Sequence, residues 1–200
     1  MPIIRPGGQG YPDWCELYDF SIVEVDGTHE WATHHPSRRA VVLAGELTVG
    51  DSDTLERGAS FEVEEEGPVT ITGSGSVVLL EGAWGSDCGG SGLFAMWPSE
   101  EPDRRGDPWD YEKNTDFDRH YHDSDEYWVI VEGGGRVVTE DVAYDVGVGD
   151  CVATRMGEHH DVAWLEEALV GVFFETTMRG RRRRGHLWIH TNGEPERRRD

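Results

Sequence analysis

The stretch His-Tyr-His-Asp-Ser-Asp-Glu-Tyr-Trp-Val-Ile-Val-Glu-Gly at 120–133 carries the strongest structural signal of the chain. Its apolar run at 127–131 predicts a β-strand. His120 and His122 point to the same side of an extended backbone, because successive side chains alternate between the faces of a strand. Glu126 opens the strand and can reach back toward both imidazoles. Two nitrogens and one carboxylate oxygen on one side predict a site for Fe, Mn, Co, Ni or Zn rather than for Ca or Mg.

A second histidine-containing stretch follows at 149–160, Gly-Asp-Cys-Val-Ala-Thr-Arg-Met-Gly-Glu-His-His. With it, the chain resembles the cupin superfamily, whose first motif is G-x5-H-x-H-x3,4-E-x6-G and whose second is G-x5-P-x-G-x2-H-x3-N. The positions that match are His120, His122, Glu126, Gly133, Gly149, Gly157 and His160. The positions that depart are Asn114 at the opening glycine, Arg155 at the proline and Trp164 at the closing asparagine.

The resemblance implies a small β-barrel that holds one divalent transition metal inside its mouth. The implied ligands are His120, His122, Glu126 and His160. Strand alternation supports the choice of His160 over His159, because His160 shares its face with Val162 and Trp164, whereas His159 shares its face with Asp161 and Ala163. We expect His159 to lie outside the barrel or behind the ligands, and Tyr121 to point outward.

Four side chains are candidates for contacting a substrate. Alternation places Trp128 inward from Glu126 and Trp164 inward from His160, and Arg155 flanks the second motif. Tyr111 belongs to a Gly-, Pro- and Asp-rich segment that leads into the first ligand. Aromatic residues in such a connecting segment also commonly serve packing, and this alternative stays open for Tyr111.

Twenty-six glycines and nine prolines divide the chain into many short apolar segments without a sustained helical period, which predicts an all-β fold. The predicted strands are 20–25, 39–44, 46–49, 60–63, 69–72, 77–81, 93–97, 126–132, 136–139, 150–154, 160–165 and 169–176. No run is long and apolar enough for a membrane span. Three scattered cysteines indicate reduced thiols and a cytoplasmic location.

An internal repeat links the two halves. Ala-Val-Val-Leu-Ala-Gly at 40–45 is similar to Trp-Val-Ile-Val-Glu-Gly at 128–133, and Gly58 corresponds in the same way to Gly149. The repeat predicts tandem double-stranded β-helix (cupin or jelly-roll) barrels, a bicupin. The predicted domains are a degenerate barrel without metal at 1–92, a metal-binding barrel at 93–178 with a lid-like loop at 99–118, and an arginine-rich tail at 179–200.

The first repeat lacks the ligand set of the second. The positions that correspond to the four predicted ligands hold Ala32, His34, Arg38 and Val69. An arginine at the carboxylate position predicts that the N-terminal half is structural. The adjacent His34-His35 pair could bind a metal only weakly, because no carboxylate accompanies it.

The formal net charge of −22 is unevenly distributed. The tail at 179–200 holds eight arginines and three acidic residues, a total of +5, which leaves −27 for the other residues. Such a body repels nucleic acids and anionic membranes, so we expect the tail to contact the acidic surface of its own or a neighbouring subunit. Contact with a phosphate or carboxylate of a substrate is the alternative. The acid excess also resembles that of proteins from salt-loving organisms.

Three classes of function are compatible with the sequence. The resemblance implies foremost a metal-dependent enzyme acting on a small polar molecule, either a dioxygenase or a sugar-type isomerase, with Glu126 as a candidate acid or base. A non-catalytic, metal-dependent binding or sensor protein for a sugar or an acid is the second class, and a storage protein is the third. The protein could act as a monomer or as a homodimer. His186 and His190 are not expected to form a second metal site, because no third ligand stands near them in the sequence.

Overall fold

The computed structural model describes residues 3–4, 11–33, 35–64 and 67–198, and it confirms the all-β prediction. Within these residues lie thirteen strands and one helix of four residues, Ile189–Asn192 (α1). The described part of the chain contains no helix that could cross a membrane. The strands are β1 Ile3–Ile4, β2 Leu17–Trp31, β3 Ser37–Val49, β4 Leu55–Glu56, β5 Ser60–Val63, β6 Val69–Gly82, β7 Cys88–Met96, β8 Glu126–Glu132, β9 Gly134–Thr139, β10 Val142–Gly147, β11 Cys151–Thr154, β12 His160–Leu165 and β13 Leu169–Thr177.

The chain divides into two compact units. The C-terminal unit takes in residues 85–90 and 94–200 together with the first residues of the chain, and the N-terminal unit takes in 16–84 and 91–93. The predicted boundary between 92 and 93 therefore falls inside β7, and β1 pairs with β11 of the C-terminal unit.

The C-terminal unit contains two sheets. One has the strand order β1-β11-β8-β13-β7, and the other has the order β10-β9-β12. Alternate residues of the central strands enter a common apolar core, because each strand turns one face inward. That core comprises Trp128, Ile130, Val137, Val146, Val152, Val162, Leu165 and Leu169.

The N-terminal unit contains a single sheet of its own among its described strands, in the order β2-β6-β3-β4 with β5 paired to β3. Its core is a separate cluster of valines, isoleucine, leucines, alanine and Trp31. The second barrel of the predicted tandem pair is therefore not confirmed. Of the positions that correspond to metal ligands, Arg38 is buried with Nη1 donating to the Gly67 carbonyl, and His34 lies outside the described residues.

The internal repeat is nevertheless present in local hydrogen bonding. The Gly58 amide donates to Val42 at 2.8 Å, and the Gly149 amide donates to Ile130 at 2.9 Å, the equivalent residue of the second repeat. Gly58 and Gly149 also have nearly the same positive φ, 86° and 87°. Left-handed backbone at these two turns explains why glycine occupies both positions.

Glycines join predicted strands into longer ones. The segments 39–44 and 46–49 form one strand, β3, and the segments 69–72 and 77–81 form another, β6. Gly45 of β3 lies directly opposite Gly75 of β6, and a Cβ on either residue would collide with the backbone of the facing strand. These glycines allow a close approach of two strands and do not end them.

The predicted lid segment is attached along one edge of β12. The Asn114 amide donates to the Ala163 carbonyl at 2.8 Å, and the Asn114 side chain makes two further hydrogen bonds with the backbone of Leu165. These bonds account for an asparagine at the position where the cupin motif has its opening glycine. The buried ammonium of Lys113 pairs with the buried carboxylate of Asp161 at 2.6 Å, and the Tyr111 hydroxyl donates to the same carboxylate at 2.7 Å.

The arginine-rich tail contacts acidic side chains of its own unit, which is the contact that its charge predicts. Arg183 pairs with the buried Asp123 at 2.8 Å. Arg182 and Arg184 both pair with Asp87. The tail also covers Tyr121, whose hydroxyl donates to the Gly193 carbonyl and whose side chain is fully buried. Tyr121 thus points away from the ligands, as expected, but it is not exposed, because the tail covers it.

The Lys113–Asp161 pair provides a test of how the segment before β8 is held. Burial lowers the pKa of Lys113 and raises the pKa of Asp161, so each charge depends on the other. Replacing Asp161 with Ala should lower the free energy of unfolding by about 3–5 kcal/mol, because the ammonium would stay buried without a counter-charge. Urea unfolding followed by tryptophan fluorescence measures this loss.

Asp145→Ala is the matched control, since it removes the carboxylate of an ion pair with Arg136 whose two side chains are 54% and 79% exposed. It should change the free energy of unfolding by less than about 1 kcal/mol. Equal effects of the two substitutions would contradict the assignment of a stabilising role to the buried pair.

Candidate metal centre

The four predicted ligands lie at the point where two strands of different sheets meet. Glu126 is the first residue of β8, and His160 is the first residue of β12. His120 and His160 form an antiparallel bridge, in which the His160 amide donates to the His120 carbonyl at 2.9 Å and the reverse bond measures 3.3 Å. This bridge brings together two motifs that are 40 positions apart in the sequence.

The ligand atoms converge. Nε2 of His120 lies 3.0 Å from Nε2 of His122. Oε2 of Glu126 lies 3.4 Å from Nε2 of His122 and 2.9 Å from Nε2 of His160. All four side chains are buried, and their ligand atoms lie within 4.8 Å of one another. Neighbouring ligands of an octahedral metal with bonds of about 2.1 Å are about 3 Å apart, so these separations suit such an ion.

Backbone carbonyls orient the three imidazoles. The Nδ1 of His120 is 2.6 Å from the Asp118 carbonyl, and the Nδ1 of His160 is 3.4 Å from the Glu158 carbonyl. The Nδ1 of His122 is 3.1 Å from the Gly185 carbonyl of the tail. A carbonyl can only accept, so each Nδ1 carries a hydrogen and each Nε2 is directed at the centre, where it can coordinate a metal once its ring is neutral.

Two buried atoms of the centre have no hydrogen-bond partner among the described residues. They are Oε2 of Glu126 and Nε2 of His160, which lie 2.9 Å apart without the angles of a hydrogen bond. Uncompensated polar atoms in a protein interior are costly, and a cation between them would remove that cost. The donor set of three imidazole nitrogens and one carboxylate oxygen suits Mn, Fe, Co, Ni or Zn, so the residues present fit a divalent transition metal.

The charges of the centre are strongly coupled. Burial opposes the ionisation of Glu126, but the imidazoles of His122 and His160 outweigh it and hold the pKa of this carboxyl well below its usual value. Burial also opposes protonation of His122, yet the Glu126 carboxylate raises the pKa of this imidazole to about 9. Burial lowers the pKa of His120 and of His160. Without a metal, the centre therefore holds one imidazolium and one carboxylate at neutral pH.

Four further residues lie next to the ligands, and the sequence did not predict that they would: Phe117, Asp118, Glu175 and His186. Phe117 packs against His120 at 5.1 Å between ring centroids. Glu175 of β13 places a carboxylate oxygen 3.9 Å from Nδ1 of His122, and burial raises the pKa of this carboxyl. Asp118 accepts from Nδ1 of His186 at 2.9 Å, and the His186 ring stacks on His120 at 3.6 Å.

His186 was not predicted to lie beside the ligands, because no further metal-binding side chain stands near it in the sequence except His190. Asp118, His120 and His186 form a second group of potential metal ligands in space, although His186 lies 66 positions after His120. The apolar run Leu-Trp-Ile at 187–189 does not alternate with polar residues, so no local pattern places His186 on a defined face.

Of the two tryptophans predicted to contact a substrate, only Trp128 lies beside the ligands. Trp128 is buried with its ring 5.2 Å from His160, so it forms one wall of the centre. Trp164 is 38% exposed and donates to Glu166. A bulge between Val162 and Trp164 reverses the inward and outward alternation of β12, which is why the prediction of an inward Trp164 is wrong.

Tyr111 and Arg155 are not placed beside the ligand atoms as Trp128 is. Tyr111 bonds Asp161, which lies next to His160 on β12 and therefore points to the opposite face of that strand. Arg155 is half-buried in the turn before β12, where its carbonyl accepts from the Glu158 amide at 2.9 Å. A substrate contact of Arg155 stays a prediction.

His159 is buried behind the ligands. Its Nε2 is 2.9 Å from the Asp107 carboxylate, which also accepts from the Ile189 amide and from Nδ1 of His190. Of the two alternatives for His159, the outer layer around the centre describes its place better than the protein surface. The predicted choice of His160 for the ligand position agrees with this arrangement.

A cavity of about 340 Å³ adjoins this region. Met96, Trp97, Phe117 and Asp118 contribute to its lining. Trp97 is 64% exposed, which places an aromatic surface at the mouth of this cavity, whereas Phe117 lies between the cavity and the imidazoles.

Metal binding should depend on pH through His122. Because the pKa of His122 is raised to about 9 in the metal-free centre, this imidazole is protonated at neutral pH and must lose its proton before it can coordinate a metal. The affinity for Co(II) should therefore fall about tenfold for each pH unit below about 9. Competition with a chromogenic chelator between pH 6.5 and 8.5 measures it, and an affinity independent of pH would contradict this assignment.

Comparison with known proteins places this geometry in a family. A model of the cupin domain family Cupin_2 matches residues 109–174, which contain all four predicted ligands. The match covers one barrel and does not extend into the N-terminal unit. The chain is also 42% identical over 201 residues to the uncharacterized protein y4oW of Sinorhizobium fredii (strain NBRC 101917 / NGR234), with 96% of this chain and 93% of that protein covered.

Solved structures share the fold at low sequence identity. AerE from Microcystis aeruginosa matches with a TM-score of 0.51 and 11% identity, over 78% of this chain and 86% of that one. Bacillus subtilis oxalate decarboxylase, a protein with Mn(II) centres, matches with a TM-score of 0.50 and 10% identity, over 80% of this chain and 69% of that one. Such identities show the fold alone. Residues 109–174 therefore form a cupin domain, and the chain belongs to the same family as y4oW of Sinorhizobium fredii.

Proposed function

We propose that this protein is a metal-dependent cupin enzyme that acts on a small polar molecule. One observation carries the proposal: three Nε2 atoms and one carboxylate oxygen converge in a buried centre while backbone carbonyls hold every Nδ1. This arrangement is costly for the protein without a cation, because it buries polar atoms, Oε2 of Glu126 and Nε2 of His160, without hydrogen-bond partners among the described residues. The proposed ligands are His120, His122, Glu126 and His160.

The protein groups around the centre define what it would accept. A divalent metal held by four ligands has about two further coordination positions, through which it would polarise a bound oxygen-containing group. Trp128 and Phe117 offer aromatic surface beside the imidazoles, and Phe117 separates them from the cavity lined by Trp97 and Asp118. The ionised Asp118 repels a dianion, so a neutral or cationic molecule with hydroxyl or carbonyl groups suits the site best.

Glu126 has one role in this proposal. Its pKa lies well below the usual value, so it is ionised and suited to coordinate a cation, which leaves it without a proton to donate. The earlier alternative of Glu126 as an acid is therefore less favoured than that of a ligand. Glu175 is the neighbouring carboxyl whose raised pKa suits proton transfer, since burial disfavours its charge.

The metal would decide the reaction. With iron, the centre would suit a dioxygenase, and with manganese or zinc it would suit a sugar-type isomerase. The shared fold of oxalate decarboxylase does not extend that protein's substrate to this one. A non-catalytic, metal-dependent binding or sensor protein is the alternative. The burial of all four ligands supports this alternative, because buried ligands slow the exchange of substrate and product.

The N-terminal unit and the cellular setting complete the proposal. We infer that the N-terminal unit serves a structural role and binds no metal, since Arg38 occupies the position that corresponds to the ligand Glu126. The free thiols of Cys15, Cys88 and Cys151 suit a reducing compartment such as the cytoplasm. The protein would act on a small molecule, without nucleic acid or membrane, as a monomer or a homodimer.

Replacing a ligand tests the proposal directly. His122→Ala should lower metal content from stoichiometric to background and abolish turnover, because only three of the four donors remain and Glu126 loses one of its two imidazole partners. Elemental analysis of purified protein measures the metal, and O2 uptake with a panel of polyols, hydroxy ketones and aldoses measures turnover.

His29→Ala is the matched control, because His29 lies on β2 in the N-terminal unit and should leave metal content unchanged. Stoichiometric metal in His122→Ala would show that the ligand assignment is wrong. Tight capture of a small molecule by the metal-loaded protein, with no product formed, would support the binding protein and contradict the enzyme.

A further inference from the structure

The C-terminal tail forms an extra extended segment beside the first motif. Tyr121 and Leu187 pair as an antiparallel bridge, with the Tyr121 amide donating to the Leu187 carbonyl at 3.0 Å and the Leu187 amide donating to the Tyr121 carbonyl at 3.1 Å. Side chains of paired extended segments alternate together. Leu187 therefore shares the buried face of Tyr121, whereas His186 falls on the face of His120 and His122.

This placement gives the tail two direct contacts with predicted ligands. The Gly185 carbonyl lies 3.1 Å from Nδ1 of His122 and so directs the Nε2 of this imidazole toward the centre. The His186 ring lies 3.6 Å from the His120 ring, and the two planes are within 7° of parallel. Asp118 then joins the group, since its carboxylate accepts from Nδ1 of His186 and from Nε1 of Trp188.

Two buried carboxylates anchor the tail to the rest of the C-terminal unit, one by an ion pair and one by a hydrogen bond. Arg183 donates to both carboxylate oxygens of the fully buried Asp123 at 2.8 and 2.9 Å. Asp107, which is also buried, accepts from the Ile189 amide at 2.8 Å. These anchors stand on either side of Gly185 and His186, so the chain between them is held against the imidazoles from both ends.

The exposure of the tail contrasts with that of the centre. The His186 side chain is 46% exposed, whereas the His120 and His122 side chains are 1% and 3% exposed. His186 is thus the imidazole between the ligand face and the solvent. Undocking of the tail would open the centre to water and would remove the hydrogen-bond acceptor of the His122 Nδ1.

We propose that residues 183–188, the tail strap, complete the metal centre, so that docking of the strap and binding of the metal are one linked equilibrium. The inference rests on the proposed metal site. Partners that orient a metal-bound imidazole commonly contribute 10- to 100-fold to metal affinity. By linkage, a metal that binds more tightly when the strap is docked must hold the strap docked by the same factor. His186 is a positioning residue in this account.

Limited proteolysis of the full-length protein measures the strap directly. Trypsin cleaves after arginine, and Arg184 lies within the strap with an exposed side chain. Cleavage there requires undocking of the chain, so its rate follows the undocked population when redocking is fast. Co(II) at saturation should slow tail cleavage about 10- to 100-fold relative to the metal-free protein. Mass spectrometry identifies each cut.

An internal control separates the strap from a general effect of cobalt. Arg57 is exposed in the N-terminal unit, and its cleavage rate should be the same with and without Co(II). Equal tail cleavage in the two forms, with cobalt bound stoichiometrically, would overturn the linkage and leave the metal site intact. An absence of cobalt binding to the wild-type protein would overturn the metal site and the linkage together.

Two matched variants test the contact itself. His186→Ala removes the stacked ring and should weaken Co(II) binding about 10-fold or more. His29→Ala removes a histidine of β2 in the N-terminal unit, outside the tail and its contacts, and it should change the affinity less than about twofold. Equal cobalt affinities of the two folded variants would contradict the role of His186. Both variants keep the Gly185 carbonyl, so the contact with Nδ1 of His122 is the same in the two.

Discussion

Backbone carbonyls that hold the Nδ1 atoms of three histidines are the constraint on which the centre depends. Two of these carbonyls belong to residues two positions before the histidine, Asp118 for His120 and Glu158 for His160. The same local geometry thus occurs in both motifs, on either side of the bridge between His120 and His160. Each Nε2 is then directed inward, where Glu126 is the nearest anionic group. The fold would lose this convergence if either motif slipped by one residue, because a strand would then present its other face.

Electrostatics explains why such a centre needs a cation. Buried carboxylates are stable when they are paired, and in the metal-free centre the proton on His122 provides the pair for Glu126. A divalent metal would replace that proton with a stronger and more central charge. The same rule applies on the other face of β12, where Lys113 compensates the buried Asp161. On the tail, Arg183 compensates the buried Asp123. Lys113 and Arg183 thus each compensate a carboxylate that is buried.

The sequence predicted local features well where the determinant was local. Strands β8 and β12 have the predicted bounds, since Glu126–Glu132 and His160–Leu165 are short apolar runs that begin at a ligand. The structure also brings the four predicted ligands together. Trp164 was assigned to the wrong face because a bulge of one residue changes the alternation without a sequence signal of its own. Gly45 and Gly75 were interpreted as strand breaks, although they permit a close approach that only the pairing of β3 with β6 reveals. His186 depends on a long-range pairing with Tyr121, and no local pattern specifies that partner.

Anomalous X-ray diffraction at the cobalt edge, from crystals grown with Co(II), tests the central claim most directly. The account predicts one strong anomalous peak about 2.0–2.3 Å from Nε2 of His120, His122 and His160 and from a carboxylate oxygen of Glu126. A peak located elsewhere in the protein, or four well-ordered side chains directed away from a common point with no peak between them, would contradict it.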